Sequence, residues 1–104
     1  MSGSGSGGYE PSVKTNFDCD TGVIITNLSS VDFQILAQHK SGDILSVEIF
    51  QNSVIVVNGN GETLGSVLHA NVVELRECIE LGNIYSAEII SITVTSCKVQ
   101  ISKS

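Results

Sequence analysis

The sequence predicts an α+β fold: a small, mostly antiparallel, partly closed β-barrel of about six strands with one or two short helices. Three observations carry this expectation. Short runs rich in Val, Ile and Thr recur between clusters of Gly, Asn and Ser, the punctuation of strands joined by tight turns. One stretch, "ANVVELRECIELGN", has apolar residues at helical rather than strand spacing. The chain has 104 residues, 41% of them hydrophobic, which is enough for one small core.

Residues 1–16, "MSGSGSGGYEPSVKTN", alternate Gly and Ser, are interrupted by Pro11 and carry almost nothing apolar. They read as a flexible Gly/Ser-rich tail, either native or a cloning linker, ahead of a single barrel-like domain over 17–104. "FDCDTGVIITNL" contains a β-branched run from Val23 to Thr26 and is expected to form the first strand. "SSVDFQILAQHKSG" is expected to form a short helix. Ser29 and Asp32 have capping-box spacing, Lys40 would lie in the last turn, and Gly42 would take the left-handed cap, with Val31, Ile35 and Leu36 on one face.

"DILSVEIF" sets Leu45, Val47 and Ile49 against Ile44, Ser46 and Glu48, the period of a half-buried strand. "SVIVV" and "ETLGSVL" follow on either side of "NGNG", so the three segments should make an antiparallel meander, its turn drawn from Asn58, Gly59, Asn60 and Gly61. Gly65 inside a strand marks a bulge or a close backbone approach, either of which helps bend a sheet toward a barrel. In the helical stretch Asn71 is the expected cap, Glu74 its partner and Gly82 the terminator. Val72, Leu75, Cys78 and Ile79 form its apolar stripe, while Glu74, Arg76, Glu77 and Glu80 face water. "YSAEIISITVT" and "CKVQIS" should be the last two strands, joined near Thr95 and Ser96.

The composition excludes several function classes. Five basic and eleven acidic groups give a net charge of −6, whereas a protein that neutralises phosphates needs a basic stripe, so nucleic acid is disfavoured. Cys19, Cys78 and Cys97 are odd in number and free of CxxC spacing, which argues against a disulfide framework and for a reducing, cytoplasmic setting. No apolar run approaches the ~20 residues that span a bilayer. His39 and His69 are the only imidazoles and read as loop residues rather than bases. Asp18 and Asp20, flanking Cys19, read as solvated charges, since two carboxylates fall short of the roughly six to eight oxygen ligands of calcium. Cys78 reads as core, Cys19 and Cys97 lack a local partner for zinc, and "GNGETLG" lacks the Lys and Ser/Thr of a phosphate-binding loop. The expectation is a non-enzyme with no cofactor and no metal.

The run Gly42-Asp43, an apolar strand, "NSVIVVNGNGETLGSV", a helix and "GNIYSAEI" resembles the layout of HIRAN domains, which are small β-barrels with helical decoration. Asn52, Val54, Ile55, Val57, Gly61, Leu64, Gly65, Val67, Leu75, Gly82, Tyr85 and Ala87 stand at comparable places. The resemblance implies the barrel and, as a function, recognition of DNA ends. The family's polar loop before the third of these segments is shortened here to "FQNS", and only Lys14, Lys40, Arg76, Lys98 and Lys103 are cationic. From Gly42 to Ala87 the chain also resembles small Gly/Ser-headed bacterial proteins of unassigned function.

Three function classes follow from this reading. The first is a non-catalytic protein-interaction module, an accessory subunit or adaptor of a bacterial cytoplasmic system. It would bind another protein through a sheet edge, the acidic helix face or the N-terminal tail, and homo-oligomerisation through paired edges fits the same picture. The alternative is a HIRAN-like nucleic-acid end binder. Its stacking candidates are Tyr9, Phe17, Phe33, Phe50 and Tyr85, with the last three expected in the core. A hydrolase or metal enzyme built on His69 is the weakest of the three. Leu75 is the centre of the helical stripe, and Leu75→Asp is expected to abolish the cooperative unfolding transition in urea.

Overall fold

A computed structural model describes residues 17–104; the tail expectation over 1–16 lies outside the described residues. The elements are β1 (Ile24–Asn27), α1 (Phe33–Leu36), β2 (Ile44–Phe50), β3 (Ser53–Val57), β4 (Thr63–Ser66), α2 (Val72–Glu80), β5 (Tyr85–Ile92) and β6 (Cys97–Lys103). Among the described residues the strands form one antiparallel six-stranded sheet in the order β1-β6-β5-β2-β3-β4. The expected α+β half-barrel with two short helices is what the chain forms. β2, β3 and β4 are the predicted meander, and the C-terminal hairpin β5–β6 is inserted between β1 and β2.

The sheet curls until its two outer strands meet. Just beyond β1, Ser29 donates its N–H to the Ser66 carbonyl and accepts the Ser66 N–H in return, both at 2.8 Å. Gly65 permits this approach: a Cβ there would lie 3.0 Å from the Ser29 carbonyl oxygen and 3.1 Å from the Leu28 Cβ. The register of β3 against β4 shifts between Val56 and Val57, directly across from Gly65. The glycine read as a bulge or close approach therefore serves the closure of the barrel.

Alternate residues of each strand point inward. Leu45 and Val47 of β2, Val54 and Val56 of β3, Ala87 and Ile89 of β5, and Val99 and Ile101 of β6 are buried together with Leu75 of α2. Full burial of each large side chain contributes about 1.5–3 kcal/mol. The β2–β3 hairpin turns on Gln51 and Asn52, whose φ angles of 50° and 67° are left-handed, the geometry of a two-residue primed turn. The Arg76 guanidinium donates to the Asn52 carbonyl at 3.1 Å and fastens this turn to α2.

Both helix starts differ from the expected capping boxes. Asp32, not Ser29, caps α1, its carboxylate accepting the N–H groups of Gln34 and Ile35; Ser29 is committed to the seam with Ser66. α1 ends at Leu36, so Lys40 and Gly42 lie beyond it. Gly42 takes its positive φ in the turn that leads into β2, where the Asp43 N–H reaches the Lys40 carbonyl. At α2 the Asn71 side chain makes no cap bond; its own N–H donates to His69 Nδ1 at 3.0 Å, and Glu74 Oε1 is buried without a hydrogen-bond partner. The C-terminus of α2 ends as expected. Gly82 is left-handed, its N–H bonds the Ile79 carbonyl, and the Asn83 N–H bonds the Cys78 carbonyl, the paired pattern of a Schellman ending.

The cysteine expectation needs correction. Cys19 and Cys78 form a disulfide with a Cα–Cα distance of 5.6 Å, and Cys97 alone is free, buried on β6. The odd count concealed a pair because the partners stand 59 residues apart, and no local spacing announces them. Cys78 is buried as predicted, at 4% exposure, and uses that position to anchor the segment before β1. The segment is a turn built on Asp18, whose carboxylate accepts the N–H groups of Asp20 and Thr21 while its carbonyl accepts that of Gly22. The Tyr85 hydroxyl donates to the Cys19 carbonyl at 2.7 Å, Lys103 pairs with Asp20, and the Phe17 ring packs against Tyr85. Of the aromatic residues expected in the core, Tyr85 is there, but Phe33 and Phe50 are about half exposed, because they fall on the outer sides of α1 and β2.

Reduction of Cys19–Cys78 releases a long covalent loop into the unfolded state and should lower stability by about 4 kcal/mol. Urea unfolding with and without dithiothreitol measures this. Gln51→Asn together with Asn52→Gly, residues that accept the left-handed turn more readily, should raise stability by roughly 0.5–1 kcal/mol in the same assay.

Candidate functional site

Two features invite a functional reading, a polar network at one end of the barrel and the open edge of β1. The network begins with His39, which the turn after α1 holds over the β3–β4 connection. Its Nδ1 lies 2.9 Å from Asp43 Oδ2, and its Nε2 lies 3.3 Å from Asn58 Nδ2. Asn58 is buried; its Nδ2 also donates to Glu62 Oε1 at 2.9 Å, and its Oδ1 accepts the N–H groups of Asn60 and Glu62. Since the Asn58 Nδ2 can only donate, His39 Nε2 is the acceptor in that contact, and His39 Nδ1 faces Asp43 as its donor.

The hydrogen bond from His39 is the main reason that the Asp43 carboxyl is lowered to about 2, with the Lys40 backbone N–H and ammonium adding to it. An Asp–His pair of this kind is half of a catalytic relay. Here the lone pair a base would use is already taken by Asn58, and among the described residues no serine, threonine or cysteine is hydrogen-bonded to His39. The network is a clamp between two turns. His39, expected to be an exposed loop residue, is instead largely covered, with 17% of its side chain accessible. The second histidine, His69, is spent on the turn before α2, where its Nδ1 accepts the Asn71 N–H.

The other sequence candidates are dispersed. Asp18 organises a turn, and the backbone N–H groups of Asp20 and Thr21 lower its pKa; Asp20 faces Lys103. Cys19 is in the disulfide, and burial raises the thiol pKa of Cys97. Among the described residues no group of three or more His, Cys, Asp or Glu side chains is placed to hold a metal ion. No helix among them is long and apolar enough to cross a membrane. The described cations are scattered as well. Lys40 is on Asp43, Arg76 on the Asn52 carbonyl and Lys103 on Asp20, while Lys98 stands opposite Asn27.

The edge of β1 is the second feature. In the β1–β6 register Ile24 faces Ile101 and Thr26 faces Val99, and the ladder continues with the Leu28 N–H on the Cys97 carbonyl at 2.9 Å. Hydrogen-bonded pairs alternate in an antiparallel ladder, so Ile24, Thr26 and Leu28 turn their backbone groups to β6, and Ile25 and Asn27 turn theirs away. The next residue of that outward set, Ser29, is the one that meets Ser66. Below it the two outer strands diverge, and the contact across the gap is the Thr26 hydroxyl with the Leu68 carbonyl at 3.5 Å.

Among the described residues no backbone group of β4 or of the loop after it pairs with Ile25 or Asn27. Exposed apolar side chains surround the gap: Val23 at 51%, Ile25 at 52% and Leu68 at 67%. From Thr21 to Val31 no residue is charged and none is proline, so these two devices that blunt a sheet edge are absent, and the shortness of the four-residue β1 is the one that remains. The sequence marked β1 as a strand but did not mark it as the outermost one, since that depends on β6 arriving from the far end of the chain.

No protein-family model matches the chain, and no curated protein and no solved structure shows significant similarity to it.

The Asp43 carboxyl is lowered below its ordinary value of 3.8, so the folded state binds fewer protons than the unfolded state between these values. Its contribution is therefore complete above pH ~4 and disappears as the pH falls through about 2. Acid titration of stability should lose this component in Asp43→Asn. Asn58→Ala, which strands the His39 and Glu62 groups, should cost on the order of 1–3 kcal/mol at neutral pH by urea unfolding.

Proposed function

We propose that the protein is a non-catalytic interaction module, an accessory subunit or adaptor, whose working surface is the open edge of β1. The observation that carries this reading is the outward row of backbone groups at Ile25 and Asn27, set among exposed Val23, Ile25 and Leu68 and unguarded by charge. An edge of this kind supplies directional main-chain hydrogen bonds to an added strand, and the flanking apolar side chains supply contact area. The polar network supports the same reading, because its one imidazole pair is consumed in holding two turns together. Recognition of nucleic-acid ends, the alternative from the HIRAN resemblance, calls for a basic stripe, and the described cations are dispersed and mostly paired.

The compartment is a further part of the proposal. An unpaired cysteine pattern fits a cytoplasmic setting, whereas the Cys19–Cys78 bond fits an oxidising one. Acid-quenched alkylation of the protein from its native source, followed by mass measurement, tests this: an unmodified pair places the module in an oxidising compartment, and a doubly alkylated pair returns it to a reducing one.

The edge itself is tested with Ile25→Pro. The N–H that proline removes points away from β6, so the β1–β6 ladder should survive while strand addition is blocked. A partner captured from native lysate by the full chain should be lost with Ile25→Pro and kept with Glu77→Lys/Glu80→Lys on the acidic face of α2. Loss with the helix variant and retention with Ile25→Pro would transfer the function to α2.

A further inference from the structure

Resting on the β1-edge reading, we infer that the occupant of the edge is an extended, cationic polypeptide segment of a partner protein, with β-branched or aromatic residues at alternate positions. Three observations define it. The outward Ile25 N–H and carbonyl and the Asn27 N–H, beside an Asn27 carbonyl that also takes the Thr26 hydroxyl at 3.3 Å, suit a partner that offers main-chain donors and acceptors at strand spacing, as an extended polypeptide does. Val23 and Ile25 project on the outer face of the sheet and are half exposed, so the occupant's residues on that face gain by being apolar and broad.

The third observation is charge. The edge from Thr21 to Val31 is neutral, but Asp18 stands at the end away from the seam, where Asp20 is offset by Lys103, and the whole protein carries −6. Lys103 is committed to Asp20, and Lys98 lies on β6 across from Asn27. A field of this sign accelerates encounter with a cationic segment and opposes approach of a second copy of the same acidic chain. The charge belongs on the flank of the segment beside Asp18, at the end away from the Ser29–Ser66 seam, with its neutral apolar stretch along Ile25 and Asn27.

The test uses the full oxidised chain and a display library of random nonapeptides. Enriched sequences should alternate β-branched or aromatic residues and carry net positive charge. A synthetic copy of the leading sequence should bind at least tenfold more tightly at 50 mM than at 500 mM salt, and should slow amide hydrogen exchange at Ile25 and Asn27. Ile25→Pro and, as a second edge variant that keeps the residue's bulk off the core, Asn27→Pro should each weaken binding tenfold or more while retaining the wild-type circular dichroism spectrum.

Enrichment of neutral or acidic strands that still protect Ile25 and Asn27 would overturn the charge assignment and leave the edge reading standing. Protection of these amides without peptide would overturn the partner: if it grows with protein concentration the occupant is a second copy, and if it does not the occupant lies within the chain's own residues 1–16. A library that yields no sequence sensitive to Ile25→Pro would overturn both this inference and the edge reading beneath it.

Discussion

The architecture depends on one close approach, the meeting of Ser29 with Ser66 over the bare backbone of Gly65. A six-stranded antiparallel sheet has two edges to dispose of, and twist alone does not bring them together. Here the outer strands meet in a reciprocal pair of backbone hydrogen bonds, reinforced by the Ser66 hydroxyl on the Ser29 carbonyl and by the Asp32 N–H on the Leu64 carbonyl, and the space for it exists because position 65 has no Cβ to press on Leu28 and Ser29. Everything on the core side of that seam is shielded by it, including Leu28 and Leu64. Everything on the other side is left as edge. The open stretch of β1 is thus the remainder of an incomplete closure.

The covalent and polar ties fall where the ladder does not reach. The turn before β1 belongs to no strand, and the disulfide to α2, the Tyr85 hydroxyl and the Lys103 ion pair hold it. The turns on either side of β2 and β3 approach each other without pairing, and His39, Asp43, Asn58 and Glu62 join them. A buried asparagine with every donor and acceptor used is a specific fastening, since removing one member leaves the others unpaired in a covered site. That full satisfaction also engages the His39 Nε2 lone pair with Asn58.

Strands and helices were legible in the sequence where a signal is local. The alternation of Leu45 and Val47 with Ser46 and Glu48, the stripe through Leu75 and Cys78, and the terminating Gly82 each report a period or a backbone requirement that neighbouring residues impose. The capping boxes misled because spacing does not say whether a side chain has better employment elsewhere: Ser29 is drawn into the seam, and at Asn71 the side chain makes no cap bond while its N–H goes to His69. The disulfide and the polar network were illegible for the same reason in stronger form. Cys19 meets Cys78, and His39 meets Asn58, only after the sheet has curled. The candidate site was half visible, in that strand addition could be anticipated from neutral β-branched segments, while the identity of the edge required the strand order.

The position of the C-terminal hairpin has a consequence for how the chain reaches this state. β5 and β6 are last in the sequence and central in the sheet, filling the space between β1 and β2. Ile24 finds its partner only in Ile101, so β1 cannot be zipped into place by anything near it along the chain. During synthesis the meander β2–β3–β4 can assemble on its own, but β1 waits with both of its sides unpaired until the final strand arrives. Folding is then a late, long-range event rather than a progressive one, and topologies of this kind are slow. In the finished molecule only one of those two sides is paired among the described residues.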